Sequence, residues 1–148
     1  MKKLNFKSAI VLGGSKGLGK SIAQELKKSC KEVTALSSKD IDTSDLKSVE
    51  NFIKKYKSAD ILILNSGGPK PFSFKKLNTS VWKKYFNQLF LGFCLILQKF
   101  KIKKNGYIFY ISSSIIKEPS ENLIPSSSLR LAFSSVLKSL SLSFSKKG

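Results

Sequence analysis

Ser8-Ala9-Ile10-Val11-Leu12, running straight into Gly13-Gly14-Ser15-Lys16-Gly17-Leu18-Gly19-Lys20-Ser21, is the stretch on which the fold turns. A short unbroken run of small and apolar residues, without polar alternation, has the look of a parallel strand buried on both faces. After it the period changes. Leu18, Ile22 and Leu26 recur at i, i+4 and i+8, which predicts an amphipathic helix to about Ser29. Glycines between such a strand and helix let backbone N–H groups approach an anion, and the helix N-terminus adds a favourable dipole. The unit therefore reads as a phosphate cradle before it reads as a packing turn.

Working outward, the same alternation repeats. Residues 33–36 form a second short strand, and Ser44 or Asp45 caps a helix to about Lys57 with Val49, Phe52 and Tyr56 on its apolar face. Residues 61–64 (ILIL) form a third strand that ends in the turn-forming cluster Asn65-Ser66-Gly67-Gly68-Pro69. Thr79 or Ser80 caps a long apolar helix to about Phe100, Asn105-Gly106 makes a turn, and residues 107–111 form a fourth strand ending in Ser112-Ser113-Ser114. A last helix covers residues 126 to about 145, with Leu129, Phe133, Val136 and Leu137 inward. Leu36 leads to Asp42 too soon for a parallel crossover, which needs about a dozen residues. The expectation is an α/β fold: one open parallel sheet over residues 1–148 with helices on both faces. In such sheets the ligand sits at the carboxyl ends of the strands, where this chain collects its glycines and small polar residues.

Composition narrows the chemistry. The 148 residues carry 27 Lys+Arg against 9 Asp+Glu, a formal charge of +18, with no histidine. A Ser-His-Asp triad, a Cys-His dyad and a histidine metal site are excluded, and no metal is expected. The two cysteines, Cys30 and Cys94, fall in apparently helical segments without CxxC spacing, which suggests reduced thiols and a cytoplasmic location. No apolar run approaches the 18 or more residues of a membrane span. All the cations but Arg130 are lysines scattered in pairs such as Lys27-Lys28 and Lys83-Lys84. Base readout and stacking favour arginine, so the charge reads as a lysine-rich solvated surface rather than a specific nucleic-acid face.

The glycine loop satisfies two motifs. Gly14-x4-Gly19-Lys20-Ser21 fits the P-loop, in which Lys20 would reach the outer phosphates and Ser21 would hold magnesium. Such a protein wants another strand ending in an acidic residue for the magnesium shell, whereas the third strand ends in Asn65. Gly13-x3-Gly17-x-Gly19 fits the glycine spacing of the short-chain dehydrogenase/reductase superfamily. Asn65-Ser66-Gly67-Gly68-Pro69 resembles that family's NNAG element in its NSGGP variant, and Asp42-Thr43-Ser44-Asp45 resembles its acidic turn beside the adenine. Tyr107-Ile108-Phe109-Tyr110-Ile111-Ser112-Ser113 resembles its strand ending in the catalytic serine. The resemblance runs from about residue 8 to the last residue and implies a Rossmann-like sheet; with no room for the family's third strand between Leu36 and Asp42, it implies the strand order 2-1-3-4.

It implies a nicotinamide cofactor with Gly13, Ser15, Lys16, Gly17, Leu18 and Gly19 at the pyrophosphate and ribose, Asp42 and Thr43 at the adenine, and Asn65, Ser66 and Gly67 at the nicotinamide ribose. An acidic residue after the second strand would select NAD by binding its 2′-hydroxyl. Here Ser37, Ser38 and Lys39 stand in that region with Lys16 in the loop, so NADP is expected, with NAD possible. Asp40 counts against this if the strand runs on further.

The family's proton chemistry uses Tyr-x-x-x-Lys, a serine thirteen residues before the tyrosine, and an Asn on the long helix. Ser113 fits the serine position, and the same spacing then reaches Ser126 and Arg130 where the tyrosine and lysine would stand. Counting along the long helix from Trp82 puts Leu89 at the Asn position. A serine hydroxyl is far less acidic than a phenol of pKa about 10, and arginine stays protonated. Ser113 and Arg130 would polarise a carbonyl while water supplies the proton. The family's pattern continues through further strands after the position of Gly148, so the chain reads as C-terminally short: a truncated product or a minimal form that borrows surface. The expectation is an NADP-dependent oxidoreductase acting on a small carbonyl or alcohol. The alternatives are a dinucleotide-binding protein without turnover, serving as sensor or partner subunit, and a P-loop phosphotransferase. Helices 80–100 and 126–145 are the expected homodimer surface.

Overall fold

The computed structural model describes residues 6–145. Four strands, β1 (Phe6–Val11), β2 (Cys30–Ala35), β3 (Ser58–Leu64) and β4 (Lys101–Tyr110), form one parallel sheet in the order β2-β1-β3-β4. This is the expected order, and the sheet is Rossmann-like. Helices α1 (Gly17–Leu26), α2 (Leu46–Lys55), α3 (Thr79–Phe86), α4 (Gly92–Lys99) and α5 (Ile124–Ser145) pack on it.

The strand alternation explains how the helices divide between the faces. Ile10, Leu12, Leu62 and Leu64 point to one side, where they meet Val49 and Phe52 of α2, Phe93 and Ile96 of α4 and Phe133 of α5. Ala9, Val11, Ile61 and Ile63 point to the other, where α1 supplies Ala23 with Ile22 and Leu26. Helices thus cover both faces, unequally. Beyond the reach of α1, Tyr107 and Phe109 of β4 stack on each other with ring centroids 6.0 Å apart and remain 46% and 48% exposed.

Several local expectations are corrected. Cys30 opens a strand rather than lying in a helix, and both cysteines are free. Burial pushes both thiols up. Asn105-Gly106 is no turn between elements: β4 begins at Lys101, and the pairing jumps from Ala59↔Ile102 to Ile61↔Tyr107 across a bulge in which Asn105 takes φ 62°. Asparagine tolerates that left-handed conformation better than other non-glycine residues. Gly106 is required there because a Cβ would meet the carbonyl of Asp60. The same corner is pinned by Asp60, whose carboxylate accepts from the N–H and hydroxyl of Ser8 at 2.8 and 2.9 Å and from the Lys103 ammonium at 3.4 Å.

The long helix is neither capped nor continuous as expected. Asn78 is the cap, its side chain accepting from Val81 N at 3.0 Å, while the Ser80 hydroxyl donates to Asn78. Between α3 and α4, Asn87–Leu91 forms one π-helical turn. Such a turn inserts an extra residue and rotates α4 about the axis relative to α3. Among the described residues no helix is long and apolar enough to cross a membrane.

Candidate functional site

Loops from the carboxyl ends of β1, β2 and β3 converge with the π turn on one cleft, lined by Gly13, Ser38, Asp42, Thr43, Asn65 and Gln88 among others. The glycine loop forms its first wall. Gly13 and Gly17 adopt φ 61° and 53°, the left-handed region that favours glycine. A Cβ on Gly19 would run into the Gly13 carbonyl, and one on Gly14 would stand 2.9 Å from the Ala35 Cβ. Around Gly17 and Gly67, by contrast, nothing stands within 4 Å of a Cβ position. The loop is thus packed tightly against the protein from behind and open in front. The start of α1 has no side-chain cap, which leaves its first-turn N–H groups for an anion. Ser15, Lys16 and Leu18 are exposed at the mouth. Backbone amides, open space and an uncapped helix fit a pyrophosphate.

The second wall departs from expectation at Ser37. Its N–H and hydroxyl both donate to the Asp40 carboxylate, at 2.8 and 2.6 Å. These bonds hold the Asp40 carboxyl below its usual range. Strand β2 ends early, at Ala35, so Asp40 lies in the loop, yet it still claims the proton that Ser37 was expected to offer a phosphate. Ser38 and Lys39 remain exposed. Asp42 likewise turns inward on its own loop, accepting from the N–H and hydroxyl of Ser44 at 2.9 and 2.8 Å. Asp45 caps α2. Thr43 is buried and donates to the Gln88 carbonyl at 3.0 Å.

Asn65 closes the floor: its Nδ2 donates to the Gly13 carbonyl at 3.3 Å, joining the ends of β1 and β3. The π turn supplies two consecutive amides. Asn87 Nδ2 donates to Ser44 O at 3.3 Å, and Gln88 Nε2 donates to Gly67 O at 2.8 Å. Gln88 was missed because counting at α-helical period reaches Leu89, which is fully buried in the core. An amide pair, Asn87-Gln88, flanked by Tyr85-Phe86 and Leu89-Phe90, was the available signal.

The third cluster lies where β3 and β4 end. Arg130, only 5% exposed, donates from Nε to Ser126 Oγ at 3.3 Å, and its two terminal nitrogens donate to Ile111 O at 3.1 Å and Ser66 O at 3.2 Å. Its acceptors are all neutral; among the described residues the cations of the ion pairs are lysines alone. Ser126 is buried with it. Ser113 is exposed and caps a short 3-10 turn, accepting from Ile115 N at 3.4 Å. The structure therefore brings Ser126 and Arg130 into contact and engages Ser113 separately. Beside them the Tyr110 hydroxyl and Ser112 Oγ are buried with no partner at hydrogen-bonding geometry among the described residues. Burial pushes the Tyr110 phenol up against the opposing pull of Arg130. The Ser21 hydroxyl, which a P-loop would aim at magnesium, folds back onto Gly17 O at 3.4 Å. Among the described residues no group of His, Cys, Asp and Glu could hold a metal ion.

No protein-family model matches the chain, and no curated protein sequence matches it. Solved structures do. A small-chain dehydrogenase superposes with TM-score 0.81 at 24% identity, over 93% of this chain and 76% of its own. A small-chain dehydrogenase in complex with NADPH gives 0.77 at 23% identity, over 93% and 64%. A short-chain dehydrogenase from Burkholderia cenocepacia J2315 in complex with NADP gives 0.82 at 17% identity, over 99% and 72%. The chain thus has the fold of these proteins and spans between about two thirds and three quarters of their length.

Proposed function

We propose, from a fold shared with short-chain dehydrogenases/reductases, that this chain binds a nicotinamide dinucleotide in the cleft and transfers hydride between it and a small carbonyl or alcohol. The observation that carries the proposal is the glycine loop, closed behind at Gly14 and Gly19 and open in front at Gly17, with Gly67 of the turn after β3 equally open. Backbone N–H groups of the loop and of the α1 N-terminus would take the pyrophosphate, with Ser15 and Lys16 at its edge. Leu12, Asp42 and Thr43 would face the adenine, and Asn65, Ser66 and Gly67 the nicotinamide ribose. Gln88 acts through Gly67, holding its carbonyl and so the shape of that loop.

Lys16 and Lys39 favour NADP, since a 2′-phosphate needs cations. Asp40 opposes it locally, so the preference rests on Ser38 and the two lysines rather than on Ser37.

The bound cofactor supplies the hydride; the chain must supply orientation and a path for the proton. Ser113, the exposed hydroxyl, would donate to the carbonyl oxygen. Arg130 is buried and commits three of its N–H groups to Ser66 O, Ile111 O and Ser126 Oγ, so its part is positional and electrostatic. A buried cation lends positive potential to the strand ends, where an alkoxide would develop. Water would deliver the proton.

A second reading, a dinucleotide-binding protein without turnover, draws on the same burial of Ser126 and Arg130. Calorimetric titration with NADPH and NADH, then a panel of small aldehydes and ketones followed by NADPH absorbance, tests both. Binding with consumption supports the oxidoreductase, binding without any consumption supports the second reading, and no binding by folded protein sinks both. Exposed Phe86 and Leu131 on the two helices expected at a dimer interface suit a second copy, which sedimentation would detect.

A further inference from the structure

We infer that the end of the sheet opposite the cleft is a lysine platform that adsorbs on an anionic lipid surface. Parallel strands all start at one end, so the turns that enter β2, β3 and β4 gather there beside the start of β1. Two main-chain bonds tie them together: Phe6 N donates to Ser29 O at 3.0 Å, and Lys101 N donates to Lys57 O at 2.9 Å. Exposed lysines crowd this end, with Lys27 and Lys28 after α1, Lys31 in β2, Lys7 in β1, and Lys54 and Lys57 at the end of α2.

Helix dipoles account for part of this. Both α1 and α2 end here, and their carbonyl ends favour cations, an effect that falls off within the last turn. It gives no reason for Lys7 or Lys31. Between the paired residues Phe6↔Cys30 and Ser8↔Glu32 these two stand side by side, at the roughly 4.8 Å spacing of neighbouring strands. Like charges so placed repel each other. The nearby acids are largely engaged: Glu25 pairs with Lys28 at 2.7 Å, and Asp60 accepts from Ser8 and Lys103. Glu32 points to the opposite side of β2 from Lys31. At the cleft end, by contrast, Asp40, Asp42 and Asp45 follow one another through the loop into α2. Charge is therefore polarised along the strands, with the cationic pole away from the cleft.

The side chains at this pole select the anion. Among the described residues, no large apolar side chain is exposed within residues 27–31 or 54–57, and the single arginine lies elsewhere. Stacking on bases and bidentate grip of phosphate, which nucleic-acid faces use, are not offered. The turns are short, Lys27–Ser29 and Tyr56–Lys57, so neither projects an element into a duplex groove. What is offered is an array of point charges on flexible stems, spread over the end of a sheet and its flanking helices. That matches a layer of anionic headgroups, to which each lysine near the surface adds attraction. Adsorbed in this way, the chain would keep the cleft facing water.

The test is flotation of the full chain with vesicles of phosphatidylcholine alone and of equal parts phosphatidylcholine and phosphatidylserine. Binding is expected to the anionic vesicles only. It should weaken at least tenfold between about 0.1 and about 1 M salt, as the Debye length shrinks from about 10 to about 3 Å. Lys27→Gln/Lys31→Gln/Lys57→Gln should also weaken it at least tenfold. Lys70→Gln/Lys75→Gln/Lys76→Gln removes the same charge from the exposed loop after β3, at the cleft end, and should change binding less than twofold. Circular dichroism would check both folds. Equal losses in the two variants would overturn the inference by reducing it to net charge. So would binding to neither vesicle, or release of the chain by duplex DNA at a lower phosphate concentration than the vesicles present.

Discussion

At the glycine-loop end of the cleft the fold is held by backbone: Gly13 and Gly17 in left-handed conformations, Gly14 and Gly19 packed too closely for a side chain, and the exposed side chains left to face a ligand. At the Arg130 end it is held by side chains: a buried guanidinium stitches Ser66 O to Ile111 O, and Ser126 is drawn in beneath it. One end presents unused backbone donors, while the other has committed much of its guanidinium to internal acceptors. A site that keeps its hydrogen-bonding capacity is ready to bind. A site that has spent it on internal acceptors supports the neighbouring loops and acts on a ligand through its field.

This contrast can be broken most severely at Arg130. Arg130→Ala would remove the donor from two half-buried carbonyls and from buried Ser126, at a cost of about 2–4 kcal/mol given that hydrogen bonds from charged groups contribute about 1.5–3. Urea denaturation should show it. Unchanged stability with lost activity would make the residue purely chemical and dissolve the distinction.

The opposite end should respond in the opposite pattern. Gly19→Ala forces a Cβ against the Gly13 carbonyl, so the loop must shift; overpacking of this kind costs about 1–3 kcal/mol. NADPH affinity is expected to fall at least tenfold while the sheet remains folded by circular dichroism. Retained affinity would mean that the loop is not the cradle.

A pH scan sharpens the comparison with a site away from both ends. Burial pushes the Asp60 carboxyl up, but hydrogen bonds from Ser8 and Lys103 outweigh it and hold it below the usual range. Its contribution is therefore complete above the unfolded pKa of about 3.9 and is lost as pH falls through the depressed folded value. Asp60→Asn should lower stability at neutral pH by about 1 kcal/mol and flatten the acid limb of the stability profile. An unchanged acid limb would remove Asp60 from the account.

The smallest effect belongs to Tyr110→Phe. Its hydroxyl is buried with no partner at hydrogen-bonding geometry among the described residues, so removal should leave the melting temperature unchanged or slightly higher. A clear loss of stability would show that the Arg130 end keeps a donor in use there.

Much of the fold was legible because its signals are local. Short apolar runs ending in glycine or Asn gave β1 and β3, and the family resemblance, with no room for its third strand between Leu36 and Asp42, gave the strand order. The π turn was not legible: nothing in Asn87-Gln88-Leu89-Phe90-Leu91 departs from a helical pattern, and the extra residue is set by tertiary contacts of Thr43 and Gly67. Nor was the early start of β4, since Asn105-Gly106 reads as a turn wherever it stands and only the pairing with β3 shows a bulge. At the candidate site the glycines followed from conformational need. The roles of Ser37 and Arg130 did not, because they depend on which partner reaches a hydroxyl or guanidinium first, and that is a property of the folded chain.

The most direct test of the central claim is where a dinucleotide lands. NADPH titrated into isotopically labelled protein, followed through amide resonances, should shift residues 13–19 and 65–67 in one saturable process and leave the β4 edge unmoved. Shifts confined to other surfaces, or none at saturating NADPH, would contradict it.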